Sequence, residues 1–134
     1  MKPFRAAVEA GDFAALGELL AEDVVFRSPV AFKPYEGKPI VAAILRAVGR
    51  VFEDFGYVRE LTDDDGRGSA LIFETVVEGV SVNGIDLIRL DDDGLIRELT
   101  VMVRPLSAAT ALAQAMGAQF PQIQAEVLDA IKDE

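Results

Sequence analysis

The sequence predicts an α+β fold: helices first, a curved antiparallel sheet next, and a helical tail. Three observations carry this. Apolar residues recur at helical spacing before residue 55 and again after residue 105. Between those stretches they alternate two by two, as strand faces do. The acidic segments "DDDGRG" and "DDDG" punctuate the alternating region as turns.

Residues 3 to 10 read as a short helix stopped at Gly11. Asp12 is placed to cap a second helix, "FAALGELLAE", whose Phe13, Leu16, Leu19 and Leu20 share a face. "DVVFRSPV" reads as a short strand ended by Pro29. "EGKPIVAAILRAVGRVFEDF" is the clearest helix, with Pro39 suited to its first turn and a wide stripe from Ile40 to Phe52. A shorter strand follows at about 55 to 62, then three long ones. After Pro105, Ser107 can cap "AATALAQAMG", and Pro121 opens a further helix, "QIQAEVLDAIKDE". No repeat or linker divides the chain, so a single domain over residues 1–134 is expected, with a core at about 3–104 and a tail at about 107–133.

Composition narrows the function. A formal charge of −10 argues against nucleic acid and anionic membrane as partners. No apolar run is long enough for a bilayer, and "MKPFRAAVEAGD" lacks a signal-peptide core, so a cytoplasmic location is expected. Without Cys or His there is no thiolate nucleophile, no Ser-His pair and no conventional zinc site. "GRG" lacks the spacing of a phosphate loop, and the acidic triplets lack calcium-ligand spacing; no cofactor or metal is expected.

Registering the strands on a turn at Glu78-Gly79 gives two unlike faces. One carries Leu71, Phe73, Thr75, Val77, Val82, Asp86, Ile88, Leu99, Val101 and Val103, with Asp86 between Leu71 and Leu99. The other carries Ile72, Glu74, Val76, Ile85, Leu87, Arg89, Ile96, Glu98, Thr100, Met102 and Arg104. Asn83-Gly84 is the competing turn and the stronger dipeptide signal, but it would cut the middle strand short. The first face needs a cover of helices. The second, aliphatic with balanced charges, suits contact with a second copy of the chain.

The succession "EAGDFAALGELLAEDVVFRSPV", "YEGKPIVAAIL" and "GIDLIRLDDDGLIREL" resembles the nuclear transport factor 2-like, or SnoaL-like, superfamily over residues 3 to about 104. The resemblance implies a cone of helices around a strongly bent sheet, an internal pocket, and dimerisation through the sheet's outer face. Its members include ketosteroid isomerases, polyketide cyclases, epoxide hydrolases, dehydratases and proteins without enzymatic activity, so fold does not fix function. In the isomerases an "I-D-x-x-R" strand supplies a protonated aspartic acid to an oxyanion hole, a worked case of a carboxyl kept neutral. Asp86 falls on that position. The base that precedes a proline there is Ser28 here, and the oxyanion tyrosine, eight residues before the Asp of "GD", is Phe4. The isomerase set is incomplete. The Asp-Arg-Asp relay of the epoxide hydrolases is not recognisable.

Three readings of Asp86 stand at this point: a carboxyl of raised pKa doing chemistry, a buried Asp satisfied by Tyr57, Ser28, Thr75 or water, or a solvated residue at a strand end. The expected pocket wall is Ser28, Tyr57, Leu71, Phe73, Thr75, Val82, Ile88, Leu99, Val101 and Val103, around Asp86 as the candidate acid or base. Two functions follow: a module that binds a small hydrophobic ligand, or an isomerase, hydratase or cyclase using Asp86 on a small carbonyl or hydroxyl substrate. One carboxyl without a partner favours the first.

Overall fold

Gly11 ends the first helix, α1 (Lys2–Ala10), by adopting φ 67°, which a residue with a Cβ takes only at a cost. Asp12 then accepts a hydrogen bond from the Ala15 amide at 3.1 Å and caps α2 (Phe13–Glu18). The structure is a computed structural model describing residues 1–132; the end of the predicted tail, Asp133 and Glu134, lies outside the described residues.

Helix α2 stops short of the predicted "FAALGELLAE". Leu20 already begins β1 (Leu20–Arg27), paired with Ile96, and is buried there. Strand β2 (Tyr35–Glu36), which the sequence does not announce, pairs antiparallel with β1. Helix α3 (Lys38–Val51) has Pro39 in its first turn and buries Val41, Ile44 and Leu45, but Phe52 is extended and the predicted helical end belongs to β3 (Glu53–Thr62). Strands β4 (Gly68–Val77), β5 (Val80–Leu90) and β6 (Ile96–Arg104) complete one sheet of order β2-β1-β6-β5-β4-β3. The sheet is mixed rather than wholly antiparallel, because β1 runs parallel to β6. It is not closed into a barrel; with the helices it makes the α+β cone that the sequence resemblance implies. Register shifts in β1, β3 and β6 mark where it bends.

The β4–β5 register is the expected one. Val77 faces Val80 across Glu78 and Gly79, both at positive φ (49° and 80°), as a two-residue hairpin turn requires. Asn83-Gly84 stays inside β5. A Cβ on Gly84 would lie 2.3 Å from Phe73 Cζ, so glycine is there to let the Phe73 ring lie across the strand. The β5–β6 register differs by two residues. Leu95 is drawn into the turn, where the Asp91 amide donates to its carbonyl at 2.8 Å, and Arg97 bulges out between the Arg89–Glu98 and Leu90–Ile96 pairs. Asp86 therefore faces Leu71 and Val101, and Leu99 lies opposite Ile88. The same bulge turns Ile96 inward; it is fully buried, not on the outer face.

The tail is one helix, α4 (Leu106–Lys132), rather than two. Pro121 removes the amide that would bond the Gly117 carbonyl. Both residues are exposed, so water can take that carbonyl, while Ile123 beyond the proline is fully buried. Glu126 adds ion pairs to Arg46 and Arg50 at 3.5 and 3.6 Å. Together α3 and α4 cover the inner sheet face, where Leu71, Phe73, Val77 and Leu99 are completely buried; each such side chain contributes about 1.5–3 kcal/mol. No described helix is long and apolar enough to cross a membrane.

Candidate functional site

Between the inner sheet face and helices α1, α2, α3 and α4 lies a pocket of about 360 Å³. Its walls are strongly aromatic. Of the chain's eight Phe and two Tyr, six Phe and both Tyr line it: Phe4, Phe13, Phe26, Phe52, Phe55, Phe120, Tyr35 and Tyr57. Helix α4 supplies Leu112, Met116 and Phe120, one per turn along a single stripe. The tail thus covers the pocket of its own chain, a choice its apolar stripe alone leaves open, although Leu128 and Ile131 near its end remain exposed.

Asp86 lies in this wall, with only 8% of its surface exposed. Its position follows from strand parity: it shares the inward set of β5 with Val82 and Ile88. The Tyr57 hydroxyl donates to Asp86 Oδ2 at 2.8 Å. Tyr57 is held in place by an edge-on Phe55 ring at 4.9 Å and by the Arg5 guanidinium, 5.7 Å from the Tyr57 ring centre. Arg5 is itself clasped by Glu9 at 2.5 Å and Glu60 at 3.6 Å.

Burial in this apolar wall pushes the Asp86 carboxyl up to about 7, against the smaller opposing effect of the Tyr57 hydrogen bond. Tyr57 moves up as well, first through burial and then through the adjacent Asp86 charge, so it remains a phenol and a donor. Near neutral pH the pair therefore holds one exchangeable proton on Asp86 and one fixed donor on Tyr57. A neutral carboxyl can donate to a carbonyl or hydroxyl oxygen, and its ionised form can only accept.

Of the residues expected around Asp86, Ser28, Tyr57 and Val101 line the pocket. Leu71, Phe73, Val82, Ile88 and Leu99 are buried in the packed core behind it, and Val103 packs against that core. Thr75 is satisfied by donating to the Glu53 carbonyl at 2.7 Å. The Ser28 hydroxyl accepts from the Val30 amide at 3.1 Å, which fixes the turn before β2. Sequence reasoning took the sheet face for the whole wall. It missed the helical contributors Phe4 and Phe13 and the aromatics in and beside the strands, Phe26, Tyr35, Phe52 and Phe55. The available signal was the spread of aromatics over every element rather than their concentration in the strands. Glu9 is the other carboxylate in the lining, and Arg5 engages it. Among the described residues no group of three or more acidic, His or Cys side chains is placed to hold a metal ion.

The model of the SnoaL-like domain matches residues 2–99. A solved structure of a steroid delta-isomerase from Pseudomonas aeruginosa is 45% identical over 91% of this chain and 89% of that one, with a TM-score of 0.86. A protein of uncharacterised function with a cystatin-like fold from Silicibacter pomeroyi is 38% identical over 88% and 82%, with a TM-score of 0.83. A polyketide cyclase candidate from Pseudomonas putida, 21% identical over 80% and 90% with a TM-score of 0.63, shares the fold. No curated protein matches the sequence. With the cone, the bent sheet and the family model in agreement, the chain belongs to the SnoaL-like family.

Proposed function

We propose that the protein binds a small, largely apolar molecule carrying a carbonyl or hydroxyl oxygen, and that Asp86, positioned by the Tyr57 hydroxyl, holds that oxygen. The observation that carries this is the hydrogen-bonded pair set into an aromatic wall. An apolar pocket with a few convergent polar groups and a perturbed titratable residue is the usual form of a ligand site. The test is calorimetric titration with 2-acetylnaphthalene, an apolar ketone, at pH 6. Binding that weakens about tenfold or more in Asp86→Asn, equivalent to at least ~1.4 kcal/mol, supports the reading. Equal binding by both proteins removes Asp86 from the site, and no binding by either rejects the ligand class.

A second reading is an enzyme of isomerase, hydratase or cyclase type, with Asp86 as acid, base or hydrogen-bond donor. It is favoured by the relative described as a steroid delta-isomerase. Against it stand Ser28 before Pro29 and Phe4 in the first helix, where a base and a donor would be needed. Turnover assays on unsaturated ketones separate the two readings: a rate above buffer that is lost in Asp86→Asn selects the enzyme.

The proposal includes a homodimer through the outer sheet face, a cytoplasmic location, and neither nucleic acid nor membrane as partner. On the outer face Met102 is 51% and Leu87 38% exposed beside Arg89, Arg104, Glu74 and Glu98. The charge of −10 repels polyanions.

A further inference from the structure

The Phe13 ring sits directly on Gly49. A Cβ at position 49 would fall 2.1 Å from Phe13 Cζ, 2.6 Å from Cε2 and 3.0 Å from Cε1. No side chain larger than hydrogen fits between ring and helix. Both residues line the pocket. Phe13 is the first residue of α2, fixed there by the Asp12 cap, and Gly49 lies in the last full turn of α3. The ring therefore bridges the two helices. Gly49 is exposed and Phe13 partly so, whereas Asp86 is buried, so the bridge stands nearer solvent than the carboxyl.

Helix stability does not ask for glycine here. Gly49 has helical geometry, and in an α-helix interior glycine is about 1 kcal/mol less favourable than alanine. The contact that requires it is the Phe13 ring. Eight aromatic side chains around the cavity offer flat π surfaces, against which a planar ring system stacks better than a branched aliphatic one.

We infer that Phe13, seated on Gly49, is the end wall of the pocket and sets the length of a flat, ring-bearing ligand whose oxygen is held at the other end. This rests on the proposed binding function and adds its selectivity. The ligand class is a planar unsaturated ring compound with one terminal oxygen, limited in length by the ring of Phe13.

A ladder of aryl methyl ketones tests it: acetophenone, 2-acetylnaphthalene and 2-acetylanthracene keep the oxygen end constant while length grows by one fused ring. Affinities are measured for the wild type, Phe13→Ala, Gly49→Ala and the double variant. In the wild type affinity should rise and then drop along the ladder. Phe13→Ala should move that drop to a longer member, raising affinity for the first excluded ketone by about tenfold. Gly49→Ala should shift the limit by displacing the ring, and should have no effect when added to Phe13→Ala, because its action passes through Phe13. An unchanged limit in Phe13→Ala overturns the inference, as does a Gly49→Ala effect that persists without the ring. Failure of every ketone to bind the wild type rejects instead the binding function on which the inference rests. Circular dichroism melting of each variant separates loss of fold from a change in the limit.

Discussion

Asp86 and Leu87 are neighbours on β5, and each lies on the side that simple hydropathy would deny it. The carboxyl points into the core, 8% exposed, and the leucine points out, 38% exposed. On the inner face Asp86 meets Tyr57 and aromatic walls, without a basic side chain in contact to hold it ionised. On the outer face Leu87 stands near Arg89, which reaches Asp65 at 3.2 Å and Asp63 at 3.6 Å, and charges are paired in water. One carboxyl in a dry wall is shifted in its proton affinity; several on a wet face form ordinary weak pairs. The same strands thus make a chemically selective face and a chemically plain one, and the difference lies in what covers them.

Truncating the inner face should cost most. Phe73→Ala removes a fully buried ring packed on Gly84 and stacked with Phe55 at 5.2 Å, and should lower stability by about 3–5 kcal/mol in urea unfolding. Met102→Ala on the outer face of the free chain should cost under about 1 kcal/mol by the same measurement. Equal costs would erase the contrast between the faces.

Asp86→Asn should have an effect of similar size and opposite sign. The carboxyl is raised from 3.8 to about 7 in the folded chain, so the folded state binds more protons than the unfolded one between those values. The stabilisation conferred by the neutral form is complete below pH 4 and is lost as pH rises towards 7. Relative to wild type, Asp86→Asn should therefore be more stable by about 4 kcal/mol at pH 8, and the advantage should vanish near pH 4. A constant difference across that range in urea titrations would mean that packing, not ionisation, governs the site.

The smallest effect on the single chain belongs to Arg89→Glu. Its side chain is 45% exposed, so its ion pairs contribute less than about 1 kcal/mol. Sedimentation velocity is the sensitive readout, because a dimer through this face should dissociate when like charges are brought together. A wild type that sediments as a monomer at micromolar concentration would leave the outer face plain in every sense.

How much of this was legible in the sequence depends on range. Period-two alternation placed Asp86 on the inner face, and the Glu78-Gly79 turn fixed the β4–β5 register, because both are local signals. The two-residue slip at β6 needed a bulge at Arg97 and a turn that absorbs Leu95, neither of which hydropathy encodes. Pro121 looked like a break because the buried Ile123 and the Glu126 ion pairs that carry the helix past it are tertiary. The Tyr57–Asp86 bond was one of several partners open to a buried Asp. The pocket's rings come from six elements and the α3–β3 junction, and no periodicity links Phe13 to Phe120.

The central claim is that Asp86 is kept neutral to hold a ligand oxygen. Carbon-13 NMR of its carboxyl across a pH titration, without and with saturating 2-acetylnaphthalene, tests both parts at once. The account predicts a midpoint near 7 for the free protein, moving higher when the ketone is bound, because the bound carbonyl accepts the proton's hydrogen bond. A midpoint near the unperturbed ~3.9, or one that the bound ketone leaves unmoved, would contradict it.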